Sequence, residues 1–215
     1  MVNGLTVTEA SYVGNIYSIG SCLWALVIGL YIHYTGEFKN ISLFFGVPLT
    51  ILGLGLMIAF RRSDTNIGYI IMCQVFIAFS GGTLVITEQL AVMAANWHQY
   101  VTVVLALEGM FSSVGGAIGS TVAAAIWTGT YLPNLYRFLP AAEQGNAVAI
   151  YGDITTQLSD PVGTAARTAI MDAYGDAQRY MLIAATAILV LAIAAVLMWR
   201  DINVKGMKQV KGLVF

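Results

Sequence analysis

Hydrophobic positions along the chain fall into five long runs that polar segments separate. A helix needs about 20 mostly apolar residues to cross the hydrocarbon core of a bilayer. Five segments satisfy this requirement: 12–34, 41–60, 67–93, 99–129 and 179–199. The first three connections between them are short and polar, with the sequences TGEFKN, RRSDTN and NWHQ. The pattern therefore predicts an all-α membrane protein with five transmembrane helices.

The composition agrees with a chain that has lipid around most of its surface. Hydrophobic residues make up 58% of the 215 positions and charged residues only 10%, whereas soluble domains carry about 25% charged residues. So few charges cannot cover a soluble globule, and a net charge of −1 supplies no basic face for nucleic acid. We therefore expect a lipid bilayer as the surrounding medium and exclude a soluble enzyme and a nucleic-acid-binding protein.

The sequence lacks the common patterns of catalytic and cofactor-binding residues. It contains no nucleophile elbow, no HExxH pair and no phosphate-cradling GxxxxGK[ST] loop. Cys22 and Cys73 lie inside apolar runs without a metal-type or redox spacing. We expect a protein that is not an enzyme and that holds no cofactor or metal.

Basic residues near the C-terminus predict the orientation of the chain. The tail 200–215 carries four of them close to the last run, Arg200, Lys205, Lys208 and Lys211. Because basic residues next to a span stay on the cytoplasmic side, the C-terminus is expected in the cytoplasm. Alternation of the five spans then places the long segment 130–178 outside.

The segment 130–178 has apolar residues at helical spacing. One stripe consists of Ala147, Ile150, Ile154 and Leu158, and a second, after Pro161, consists of Val162, Ala166, Ala169, Ala173 and Ala177. Two short amphipathic helices over the mouth of the bundle would explain both stripes. They are expected to act either as an entry lid, with Tyr151 and Tyr174 in contact with substrate, or as a cap that shields the helix ends.

Two acids, Glu88 and Glu108, lie well inside the apolar runs, and no base does. A carboxylate at mid-membrane costs at least about 2.5–3.5 kcal/mol on insertion scales, and such residues commonly mark proton or substrate pathways. Both are therefore proton-coupling candidates, and Glu108 is the stronger one because it lies deeper in its run. For Glu88, near the predicted inner end of its run, the alternative is a carboxylate that reaches the cytoplasmic interface.

Small residues are grouped on faces of the third and fourth runs. Gly115 and Gly119 form a GxxxG pair on the same helical face as Ser112, and Gln74 lies on a comparable stripe of the third run. We expect the glycines chiefly to pack helices against each other. The same four residues are candidates for lining a transport cavity. In the second run, Pro48 predicts a kink.

Several segments resemble one family of transporters and occur in the same order. They read EASYVGNIYSIGSCLWALVIGLYIHYTGEFK, GGTLVITEQLAVMAA followed by HQ, MFSSVGGAIGSTVAAAIWTGT, DAYGDAQRYMLIA and MWRDINVK. Together they resemble the fungal siderophore iron transporters, which belong to the major facilitator superfamily and are usually drawn with fourteen helices. The resemblance covers nearly the whole chain and implies the C-terminal portion only, that is, the last five helices of the major-facilitator C-terminal bundle.

The resemblance implies uptake of ferric siderophores by proton symport across the plasma membrane or an endosomal vesicle membrane. The implied partners are a ferric siderophore, protons, the lipid bilayer and, if the chain is a fragment, the missing N-terminal half. The absence of a lysine or arginine from the interior of the runs fits a neutral or cationic solute better than an anion. Two alternatives stay open: a drug–proton antiporter of the same superfamily, and a non-transporting truncated membrane fragment.

Overall fold

A computed structural model describes residues 5–61, 65–161 and 163–206 of the chain, and this part contains helices and no strand. The α-helices are α1 (Val7–Thr35), α2 (Lys39–Ile41), α3 (Val47–Phe60), α4 (Ile67–Ala94), α5 (Val101–Phe138), α6 (Ala147–Gly152), α7 (Ile154–Ser159) and α8 (Ala165–Met198). Five helical stretches, α1, α2 with α3, α4, α5 and α8, are long and apolar enough to cross a membrane. The predicted fold class, an all-α membrane protein with five such helices, is confirmed.

The second of these stretches is irregular close to its proline. A π-helical segment, Ser42–Gly46, connects α2 to α3 and ends two residues before Pro48. Proline has no backbone N–H, so the carbonyl four residues earlier loses its usual donor. π-Helical turns are a known cause of bends in helices, so the irregular segment lies where the kink is predicted.

Two of the long helices extend well beyond the predicted spans. α5 continues to Phe138, and α8 begins at Ala165, so much of the segment 130–178 is helix rather than loop. The second predicted amphipathic helix is wrong as a separate element, because Ala166, Ala169 and Ala173 lie in the first turns of α8. Hydropathy identifies the lipid-facing part of a helix. It does not identify helical turns of the same helix that pack against other parts of the protein.

The first predicted amphipathic helix exists as two short helices, α6 and α7. They meet at Asp153, whose extended backbone ends one helix and whose carboxylate caps the next. Its oxygens accept hydrogen bonds from the backbone N–H groups of Thr155 at 3.0 Å and Thr156 at 3.2 Å. An N-cap of this kind satisfies donors that a helix start otherwise leaves unpaired.

The described chain divides into two compact units. The first combines the chain up to Gly14 with Leu54–Cys73 and Gly119–Ala187. The second combines Asn15–Gly53 with Gln74–Ile118 and the chain from Ile188.

The core of the first unit lies where the end of α5, α6 and the start of α8 meet. Tyr131 and Leu135 from α5, Ile150 from α6 and Ile170 and Ala173 from α8 are all buried there. Arg167 is also buried and donates a hydrogen bond to the backbone oxygen of Gln157. The Gln157 amide in turn donates to the backbone oxygen of Ile150 at 2.6 Å. These two hydrogen bonds hold α7 against α6 and α8.

Close contact between α1 and α4 organises the second unit. A Cβ at Gly82 would lie 2.5 Å from the backbone oxygen of Ser21, and one at Gly81 would lie 2.7 Å from the Tyr17 hydroxyl oxygen. At Gly82 the obstacle is backbone, so only glycine permits this approach. The Trp24 ring stacks on Phe79 with ring centroids 4.4 Å apart.

Candidate functional site: a carboxylate pair between two helices

Glu88 and Glu108 line the same cavity, although they belong to different helices. Glu88 projects from the C-terminal half of α4 and Glu108 from the N-terminal half of α5, and the cavity between them has a volume of about 320 Å³. The other four lining residues are all apolar, Val92, Val104, Leu107 and Phe111. The two acids singled out separately in the sequence thus form one site in the second unit.

The two carboxylates differ in their surroundings. Glu108 is partly buried, whereas Glu88 is exposed in the described part of the chain. Two carboxylates in one site repel each other when both are ionised, and apolar walls strengthen that repulsion because they screen charge poorly. The structure thus brings the two proton-coupling candidates into one cavity, and their part in proton transfer stays a prediction.

The four candidate cavity-lining residues are placed on α4 and α5. Gln74 is partly buried on α4, and Ser112, Gly115 and Gly119 are exposed on α5. A Cβ at Gly115 or Gly119 would meet no other atom within 4 Å. The expectation that these two glycines chiefly pack helices is therefore wrong for the described residues, and the close helix contacts lie at Gly81 and Gly82 instead. Whether the four residues line a cavity for substrate stays a prediction.

Tyr151 and Tyr174 meet in an aromatic cluster of the first unit. Both rings lie 5.8 Å from the Tyr131 ring, measured between centroids. Trp127 completes the cluster, 4.5 Å from Tyr131 and 4.9 Å from Tyr174. Tyr131 is fully buried, while Tyr151 and Tyr174 are partly exposed.

Sequence reasoning missed Tyr131 as the centre of this cluster and Trp127 as its neighbour. The two residues are four positions apart and therefore share a face of α5. The continuation of that face to Leu135, which is also buried, is the pattern that indicates a packed helix beyond residue 129. The partly exposed rings of Tyr151 and Tyr174 remain the accessible edge of the cluster.

Three curated fungal proteins illustrate what this chain is similar to. MFS siderochrome iron transporter 1 of Ajellomyces capsulatus is 62% identical over 214 residues, which cover 100% of this chain and 36% of that protein. Siderochrome iron transporter 2 of Aspergillus fumigatus is 50% identical over 95% of this chain and 34% of its own length. Siderophore iron transporter mirB of Emericella nidulans is 46% identical over 100% of this chain and 35% of its own length.

The chain spans about a third of the length of each of these relatives. No family model matches it, and no solved structure matches it. The similarity to the relatives nevertheless extends over the whole chain and agrees with the membrane-spanning helices of the fold. The chain belongs to the fungal siderophore iron transporters of the major facilitator superfamily and corresponds to their C-terminal portion.

Proposed function

We propose that this protein takes up ferric siderophores and that protons moving down their gradient drive the uptake. The printed names of the relatives describe siderophore or siderochrome iron transport. Proton coupling is supported by the shared cavity of Glu88 and Glu108, which holds two acids among apolar side chains. This juxtaposition is the observation on which the proposed mechanism rests.

In the proposed cycle the carboxylate pair binds one proton when its cavity faces the more acidic side. Binding of that proton reduces the charge of the pair from two negative charges to one and so lowers the cost of burying the site. Protonation therefore favours the conformation in which the cavity is closed. Release of the proton to the other side restores the charge and reopens the site. Glu108, the more buried acid, is the principal proton carrier, and Glu88 tunes it through repulsion.

The remaining candidate residues have proposed roles along the substrate path. Gln74, Ser112, Gly115 and Gly119 line the cavity through which the ferric siderophore passes. Tyr151 and Tyr174 contact the substrate at its entrance, where aromatic rings offer flat apolar surfaces to a bulky chelate. The proposed orientation has the C-terminus in the cytoplasm, in the plasma membrane or an endosomal vesicle membrane.

The test is uptake of a radiolabelled ferric siderophore by yeast cells that lack their own siderophore transporters and express the complete protein. Uptake by the wild type is expected to rise as the external pH falls. Glu108→Gln is expected to lower uptake at least about tenfold, a loss typical of a positioned proton-transfer group, and to abolish the pH dependence. Glu143 lies in the turn between α5 and α6 and does not line the carboxylate cavity. Glu143→Gln therefore serves as the matched control.

Two results would contradict the proposal in different ways. Wild-type cells that take up no siderophore but gain drug resistance would identify a drug antiporter. If Glu108→Gln cells take up siderophore with an unchanged pH profile, the carboxylate pair has no role in coupling. Siderophore transport itself would still be supported by that result.

A further inference from the structure

A second cavity lies in the second unit, where α1, α4 and the chain after α8 meet. Its volume is about 620 Å³, which falls within the roughly 300–1,000 Å³ typical of ligand pockets. We call it the tail cavity, because Val204, Lys205 and Gly206 form one of its walls. None of its lining residues belongs to the carboxylate cavity.

The wall formed by the tail is a fixed part of the fold. The Val204 backbone N–H donates a hydrogen bond to the Gly36 carbonyl at 3.0 Å. The Lys39 ammonium donates to the backbone oxygens of Trp199 at 2.6 Å and Leu197 at 3.1 Å, which places a cation on the carbonyls at the end of α8, where cations are favoured.

Apolar packing reinforces the same attachment. Trp199, Ile202 and Val204 pack against a buried cluster of Ile28, Ile32 and Phe38. Gly36 has a φ of +77°, and a Cβ there would lie 2.6 Å from the Lys205 Cβ. The loop after α1 and the tail therefore fit together closely, and Lys205 is presented to the cavity by a defined backbone.

The polar groups of the tail cavity are donors suited to an anion. Lys205 supplies an ammonium group, His33 an imidazole and Gln89 a side-chain amide, and no acid is found among the described residues of the lining. Glu37, in the loop before Phe38, does not line the cavity, and its carboxylate accepts a hydrogen bond from the Asn40 amide at 3.0 Å. The charge of Lys205 is thus matched by no carboxylate among the lining residues that the structure describes.

Most of the remaining lining is apolar, with Ile32, Ile86, Leu90 and Met93 prominent. A small hydrated anion gains nothing from such a surface, whereas an amphiphile places its acyl chain there. The cavity is at the C-terminal ends of the membrane-spanning helices α1 and α4 and next to Lys205. Under the proposed orientation this end faces the cytoplasmic leaflet, which is rich in anionic lipids.

We propose that the tail cavity binds one anionic phospholipid. The headgroup phosphate meets Lys205, His33 and Gln89, and the first part of an acyl chain lies on Ile32, Ile86 and Leu90. The bound lipid bridges α1, α4 and the tail and so stabilises the attachment of the tail. This function is separate from siderophore uptake and is tested without measuring transport.

The test is native mass spectrometry of the purified complete protein, titrated with phosphatidylserine or with phosphatidylcholine of the same acyl chains. One phosphatidylserine molecule is expected to bind more tightly than phosphatidylcholine. Because a basic residue near anionic lipid contributes about a fivefold change in affinity, Lys205→Gln is expected to weaken phosphatidylserine binding about fivefold. Arg200→Gln removes an exposed charge from the same tail but outside the cavity, and is expected to change this first binding step less than twofold.

A second pair of variants tests the cavity by volume rather than by charge. Gly29 lines the tail cavity, and a Cβ there would meet no other atom within 4 Å, so Gly29→Leu fills the space without a clash at its Cβ. Gly14→Leu makes the same change on the same helix at another open position outside the lining. The first variant is expected to abolish the tight phosphatidylserine adduct, and the second to retain it.

Three outcomes would overturn the proposal. Equal losses in Lys205→Gln and Arg200→Gln would indicate general attraction between the tail and anionic lipid. Retention of the tight adduct in Gly29→Leu would place the lipid elsewhere. Displacement of phosphatidylserine by an equal concentration of inorganic phosphate would identify the ligand as a free anion.

Discussion

At the scale of single residues, glycines that lie in similar apolar helical segments have different physical roles. Gly82 lies against the Ser21 backbone, where a Cβ would approach an oxygen to 2.5 Å. At Gly115 a Cβ would lie in open space. The first position requires glycine so that two helices can approach, while the second leaves an unobstructed face on α5.

The comparison predicts opposite effects of alanine at the two positions. Gly82→Ala forces α1 and α4 apart and is expected to destabilise the protein by about 1–3 kcal/mol, the usual cost of overpacking. Gly115→Ala is expected to leave stability unchanged or to raise it by up to about 1 kcal/mol, because alanine is the better helix former. Unfolding in mixed detergent and sodium dodecyl sulfate measures both, and equal stability of the two variants would contradict the assigned contact.

The carboxylate pair illustrates what residue patterns alone reveal. Glu88 and Glu108 are identifiable from the sequence because charges are rare inside apolar runs. Their common cavity was not predictable, because it depends on how α4 and α5 are rotated about their axes. The apolar runs on both helices leave that rotation undefined, since almost every face is hydrophobic.

At the scale of elements, the connection between α5 and α8 is ordered by local hydrogen bonds and packing. Asp153 separates α6 from α7, and the side chains of Thr155 and Thr156 add hydrogen bonds to the same carboxylate. These bonds lower the pKa of Asp153 to about 2. The cap is therefore ionised at every pH at which the protein is expected to work.

The sign of the pH effect follows from that lowered pKa. An aspartate in an unfolded chain has a pKa of about 3.9, so the cap contributes its full stabilisation above that pH and loses it as the pH falls through about 2. Hydrogen exchange of the Thr155 and Thr156 amides, corrected for intrinsic rates, is expected to stay constant between pH 7 and pH 5.

Variants of Asp153 provide the control for this assignment. Asp153→Ala is expected to speed exchange of both amides, and Asp153→Asn to have a smaller effect because an amide oxygen also caps helices. Rates that are the same in the wild type and in Asp153→Ala would show that the carboxylate does not protect the start of α7.

The extents of α5 and α8 show where sequence patterns stop being informative. The five apolar runs were predictable because a helix that crosses a bilayer must be apolar where lipid surrounds it, and hydropathy measures this property. The turns around Tyr131 and Ala173 are stabilised instead by contacts between α5, α6 and α8. Such contacts join residues distant in sequence. The helical spacing of apolar residues indicated a helix around Ala173 but not that it belongs to α8, and the continuation of α5 past residue 129 was not predicted.

At the scale of the whole molecule, the chain is a multi-pass membrane protein of the siderophore iron transporter family and spans about a third of the length of its relatives. The most apolar stretch of α5 has none of its residues buried among the described residues. Family membership and the carboxylate pair together support the central proposal, that uptake of ferric siderophore moves protons through the cavity of Glu88 and Glu108.

The most direct test of this claim is the cytosolic pH of yeast cells that express the complete protein, followed with a fluorescent sensor when ferric siderophore is added. Wild-type cells are expected to show a transient acidification that is absent without siderophore, absent in Glu108→Gln cells and retained in Glu143→Gln cells. Siderophore entry into wild-type cells with no change in cytosolic pH would contradict the account.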